Sequence, residues 1–124
     1  MTITINVAAV EIALRPGEHY AGAVLDKAGR VLHHLVLLPG KGAELDWGKA
    51  KKWAADVGGE LPTRQEQALL FANCKTHLAP EWHWSSEAHE TNASWAWFCD
   101  FDTGYQTNDY RSAELSAVAV RRIL

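Results

Sequence analysis

Cysteine is nearly absent from this sequence. Cys74 and Cys99 are the only two, and they lie too far apart along the chain to form a metal-ligand spacing. A disulfide scaffold and a cysteine zinc site are therefore excluded, and both thiols are expected to be buried and reduced. Charge of one sign is lacking too: 12 Lys and Arg against 15 Asp and Glu leave a formal charge of −3. The basic clusters Lys49/Lys51/Lys52 and Arg121/Arg122 are too short to hold a nucleic-acid backbone. No stretch reaches the roughly eighteen apolar residues of a membrane span. The opening MTITINVAAVEIAL lacks a basic leader region, and Glu11 interrupts its apolar run. Nucleic acid and membrane are not expected partners, and the expected location is cytoplasmic or within a virion. Internal repeats, low-complexity tracts and catalytic motifs are also missing.

What the chain does have is tryptophan. Six occur in 124 residues, and Trp82, Trp84, Trp95 and Trp97 fall within one short stretch. Each indole buries a large apolar area. The rings between Trp82 and Phe101 are accordingly expected inside the protein, in one domain spanning residues 1–124.

The order of elements can be read from periodicity. Ile3, Ile5 and Val7 alternate with Thr2, Thr4 and Asn6 at the period of a half-buried strand. Asp26–Gly29 separates two apolar runs, HYAGAVL and RVLHHLVLLPG, as a hairpin loop would. His33 and His34 are adjacent in the second run and point to opposite faces, so they cannot chelate one metal together. Asp46 can cap a helix whose Trp47, Ala50, Trp53, Ala54 and Val57 recur at helical spacing, and Gly58-Gly59 ends it. Thr63-Arg64-Gln65-Glu66 is a capping box opening a largely buried second helix, about 64–73. Capping accounts for Glu66 without assigning it any acid–base chemistry. Beyond Pro80 the period becomes two. Trp82 and Trp84 share one side of a short strand, and Trp95, Trp97, Cys99 and Phe101 share one side of the next. Asp102-Thr103-Gly104 is a turn, and residues 117–123 form a closing strand that is apolar on both sides.

Four fragments carry a resemblance: Gly59-Glu60-Leu61-Pro62-Thr63-Arg64, Trp84-Ser85-Ser86, Ala96-Trp97-x-x-Asp100-Phe101-x-x-Gly104 and Ala119-Val120-Arg121-Arg122. Together the chain resembles, from about His19 onward, a bacterial and phage family of unknown function related to the C-terminal domain of the Legionella collagen-like adhesin. The resemblance implies an α+β, C-type-lectin-like fold, as in formylglycine-generating enzymes. In it two helices pack on a small twisted antiparallel sheet, and a long loop region supplies the ligand face. The matching residues would be structural, and none is a catalytic residue of that family. A calcium lectin would show Glu-Pro-Asn and Trp-Asn-Asp triplets, for which Ala79-Pro80-Glu81 and Thr107-Asn108-Asp109 are incomplete substitutes. Calcium takes six to eight oxygens, so no metal or other cofactor is expected. The two cysteines likewise lack the oxidase context.

Three functional readings follow. The first is a non-catalytic module, phage or prophage encoded, that binds a glycan or a protein surface. Its site would be the outer side of the 98–111 hairpin: Phe98, Asp100, Tyr105, Gln106, Asn108, Asp109, Tyr110 and Arg111, which mix aromatic area with amide and charged groups. The second is a structural or accessory virion protein whose N-terminal strand pairs with another copy. The third, a metal-dependent enzyme using His83 and His89 across a polar loop, is the weakest, because no known ligand spacing is present.

Overall fold

The computed structural model describes all 124 residues, and their regular elements form an α+β arrangement. The expected hairpin is present as β1 (His19–Leu25) and β2 (Val31–Leu37), closed by Asp26, whose carboxylate accepts from the backbone of Ala28 and Arg30. A short β3 (Gly42–Leu45) leads into α1 (Trp47–Asp56), and Asp46 accepts from Lys49 N at 2.9 Å as its cap. Next comes α2 (Arg64–Cys74), with both hydrogen bonds of the Thr63–Glu66 capping box, then one 3-10 turn at Lys75–His77. The aromatic region supplies β4 (Trp82–Ala88), β5 (Trp95–Asp100) and β6 (Gln106–Tyr110). The chain finishes with β7 (Leu115–Ala117) and β8 (Val120–Ile123).

Two sheets replace the single antiparallel sheet expected. One has the order β1-β2-β8, and the other β3-β7-β4-β5-β6, with β7 parallel to β4. The expected closing strand is split at Val118-Ala119. Its first half enters the larger sheet and its second half the smaller, which is why it is apolar on both sides. A ten-residue core lies between the small sheet and α2 and includes Leu35, Leu37, Leu70, Cys74, Cys99 and Phe101. A second joins α1 to the larger sheet through Trp47, Ala50, Ala54, Trp84, Ala96 and Phe98. Cys74 and Cys99 thus share one core, buried and unbridged. Burial pushes the Cys99 thiol up to about 11. No helix is long and apolar enough to cross a membrane.

The N-terminal strand does not form. Residues 1–15 have no regular structure, and Ile3, Ile5 and Val7 stay 75–80% exposed. This segment pairs with no strand of its own chain. The expectation for the tryptophans also needs correction. Trp84 is fully enclosed and Trp47 nearly so, whereas Trp82 is 49% exposed and Trp95 and Trp97 are half-buried. Period two places residues on a face, but it does not say how far a helix covers that face.

The paired arginines of β8 point to opposite sides and tie the small sheet to its surroundings. Arg121 grips the buried Glu18 through Nε and Nη2, at 3.0 and 2.9 Å, and Nη2 also donates to the Ala13 carbonyl. Arg122 reaches Glu66 at the start of α2, with Nε to Oε2 at 2.7 Å and Nη2 to Oε1 at 2.8 Å, and it also contacts Glu60. His33 Nε2 and Thr63 N complete the shell of Glu66, whose exposure is 1%. Burial alone would raise this carboxyl. The Arg122, Thr63 and His33 hydrogen bonds outweigh that effect and hold it at about 2.

Gly59 lies where this strand meets the α1–α2 connection. Glu60 and Val120 exchange two backbone hydrogen bonds, at 3.0 and 2.9 Å. A Cβ on Gly59 would stand 2.6 Å from the Val120 carbonyl oxygen. Gly59→Ala is therefore expected to destabilise by about 1–3 kcal/mol, since backbone must move to admit the methyl. Gly48→Ala, inside α1 and no closer than 3.6 Å to other atoms, should instead stabilise by about 0.5–1 kcal/mol. Urea midpoints moving in opposite directions would check both.

Candidate functional site

Strand pairing sorts the aromatic region onto two faces, because directly opposed residues share a face. On one face Trp95 sits beside Tyr110, Trp97 beside Asn108, and Cys99 between His83 and Gln106. On the reverse face Phe98 lies between Trp84 and Thr107, Ala96 beside Asp109, and Asp100 beside Trp82. Helix α2 packs on the first face but covers only its Cys99 end. Its first residue, Arg64, finishes over the Trp97 ring, with the guanidinium carbon 3.4 Å from the ring centroid.

Past that point the face is open and polar–aromatic. The Trp97 indole donates to Glu90 Oε1 at 3.0 Å, and Arg64 Nη1 lies 3.8 Å from the same oxygen. His89 stacks at 6.5 Å from Trp97 and meets Trp95 edge-on at 5.4 Å, while Tyr110 meets Trp95 edge-on at 5.9 Å. Gln106 Nε2 donates to the Arg64 carbonyl at 2.7 Å, which holds the start of α2 to the edge of the sheet. Glu90 is held below the usual carboxylate range, first by its own backbone N–H and also by the Trp97 indole. Asn108 Oδ1 is closed off from solvent and has no hydrogen-bond partner. The accessible face therefore combines a cation, a carboxylate and aromatic edges. These groups can stack on and hydrogen-bond a neutral polar ligand, but they include no nucleophile–base pair.

The sequence-predicted site is only partly assembled. Gln106, Asn108 and Tyr110 lie on this face, and Tyr105, 65% exposed, stands at the turn beside it. Asp109 lies on the reverse and accepts from Tyr110 N through Oδ1. Phe98 does not face outward: it is 3% exposed in the second core, because its phase along β5 is that of the α1 side. Asp100 holds the turn, accepting from Asp102 N and the Thr103 hydroxyl. Arg111 is occupied elsewhere. It lies 4.6 Å from the Trp47 ring centroid, and its Nε donates to the Trp95 carbonyl. Arg64, Glu90, Trp95 and Trp97 are not among the residues expected here, and His89, expected of a metal site, joins this face instead. The one available signal is that Trp95 and Trp97 share the phase of Cys99, so a short helix beginning at Arg64 must leave some of that row uncovered.

The histidines expected of a metal site have other roles. His83 is buried, its Nδ1 lies 2.8 Å from the Glu81 carbonyl, and burial keeps its pKa low. His89 Nδ1 accepts from Thr91 N and Asn92 N, closing the loop. No group of three His, Cys, Asp or Glu residues comes together to hold a metal. On the reverse face an open cleft of 340 Å³ is lined by Glu44, Glu81, Glu114 and Trp82. Glu81 there is already bound by Lys41 Nζ at 2.6 Å and by the Ser116 hydroxyl at 2.9 Å. No protein-family model matches the chain, and no curated protein matches it either.

Proposed function

We propose that this chain is a non-catalytic binding module of C-type-lectin-like architecture, phage or prophage encoded, that recognises a glycan or a protein surface. Its contact face is the Tyr105–Tyr110 side of the β5–β6 hairpin together with Arg64, His89, Glu90, Trp95 and Trp97. The open cluster of Arg64 over Trp97, Glu90 beside both, and Trp95 against exposed Tyr110 carries the reading. Exposed Tyr105 and Tyr110 extend the face with rigid amphipathic area, as recognition surfaces commonly do. No step of bond making or breaking is assigned to these groups.

Glycan and peptide arrays probed with the purified protein test the proposal. Tyr110→Ala is expected to weaken a wild-type signal about tenfold or more, in line with loss of one aromatic anchor, with the melting temperature nearly unchanged. Arrays without signal above background, or signals in Tyr105→Ala and Tyr110→Ala equal to that of the wild type, would leave an ordinary polar hairpin. A second reading, an accessory component of a phage particle, draws support from the exposed apolar arm at Ile3, Ile5 and Val7. In that reading the protein travels with the virion.

A further inference from the structure

We propose that the arm Thr2–Val7 adds as a strand to the open edge of β6 in a second copy of this chain. The arm has the alternation of a strand, an exposed apolar row at Ile3, Ile5 and Val7, and no charged side chain before Glu11. Within its own chain it forms no strand. A segment with this pattern is suited to pairing with a free strand edge.

The other edges are obstructed. Helix α2 runs along β1, where Asn73 Nδ2 donates to the Ala21 carbonyl at 2.6 Å and Cys74 Sγ approaches the Tyr20 carbonyl. Glu60 closes the start of β8. At β3, Glu44 adopts φ 53 and the register shifts, so the ladder is broken. Only β6 is a regular edge: it pairs with β5 in unbroken register from Gln106 to Tyr110 and ends its sheet.

Its hydrogen-bonding phase can be read from its flanks. Asp100 N donates to the Tyr105 carbonyl, and Arg111 N donates to the Ser94 carbonyl. Alternation then turns Thr107 and Asp109 toward β5 and directs the N–H and C=O of Gln106 and Asn108 outward. A paired arm would satisfy those four groups. Its apolar row would continue the Trp95–Tyr110 face, and Thr2, Thr4 and Asn6 would lie beside Thr107 and Asp109. The arm is anchored at Ala13 by Arg121, on the small sheet, whereas β6 is the far edge of the larger one. Two copies exchanging arms close into a two-fold dimer with both arms and both edges occupied. The inference does not depend on any ligand at the aromatic face.

Sedimentation velocity over a concentration series, with amide exchange on the same samples, tests it. The expected result is a concentration-dependent dimer in which the Gln106 and Asn108 amides exchange at least about tenfold more slowly than in the monomer. Ile5→Asp should return a folded monomer with those amides fast. A wild-type monomer at every concentration overturns the proposal. So does a dimer whose Gln106 and Asn108 amides remain fast, or protection that is independent of concentration, which would place the arm on its own β6. Array binding by monomeric Ile5→Asp tests the recognition face separately, so either idea can fail alone.

Discussion

Glu66→Gln is expected to lower stability by about 3 kcal/mol at neutral pH. A carboxyl held at about 2 rather than 4.5 represents that much at about 1.4 kcal/mol per pH unit. The sign follows from the folded-state pKa being depressed. The contribution is complete above about 4.5 and disappears progressively as pH falls towards about 2. Urea midpoints of the wild type should therefore drop over that window, while the glutamine variant stays flatter. Arg122→Met is expected to be worse, about 3–5 kcal/mol, because it strands a buried carboxylate that has lost its guanidinium. The double variant Glu66→Gln/Arg122→Met should recover much of that loss, since no unpaired buried charge then remains. Strict additivity of the two changes would show that the pair is not coupled. The large effect has a simple origin: one carboxylate caps α2, receives His33 from β2 and binds Arg122 from β8.

Trp84→Ala is expected to cost about 3–5 kcal/mol, the range for removing a large enclosed aromatic side chain. Trp84 has no exposed surface and joins α1 to the larger sheet, and its indole donates to the Leu45 carbonyl at 2.9 Å. Trp84→Phe should lose less, chiefly the hydrogen bond and part of the filled volume. Trp82→Ala, two residues away on the same face but 49% exposed over Phe98, should cost less than about 1 kcal/mol. Thermal unfolding of the three variants would rank them. A Trp82 variant as damaging as Trp84→Ala would contradict the burial difference between them.

Local signals in this chain were legible, and long-range ones were not. Asp46, Thr63 and Glu66 announced both helix starts because capping is settled within four residues. The hairpin around Asp26 was equally plain. The N-terminal alternation has the period of a strand, yet a strand requires a paired edge and this segment pairs with none in its own chain. Phe98 and Trp97 show the same limit at the site. Alternation placed them on opposite faces, but which face the α2 helix leaves bare depends on where its Arg64 end falls across the sheet. Arg64 was legible as part of the helix start; its position over Trp97 depends on how that helix docks.

The division of the closing stretch between β7 and β8 bears on how the protein is made. Residues 115–123 supply a member of each sheet. A chain emerging from the ribosome can form its first hairpin and both helices early, but the larger sheet lacks β7 and the smaller lacks β8 until this stretch appears. Contacts of such wide sequence separation form slowly, and exposed ladders in the interim are prone to mispairing. Final assembly should therefore be a single late event that zips the two halves together, and a ribosome stalled short of residue 115 should carry a protease-sensitive chain.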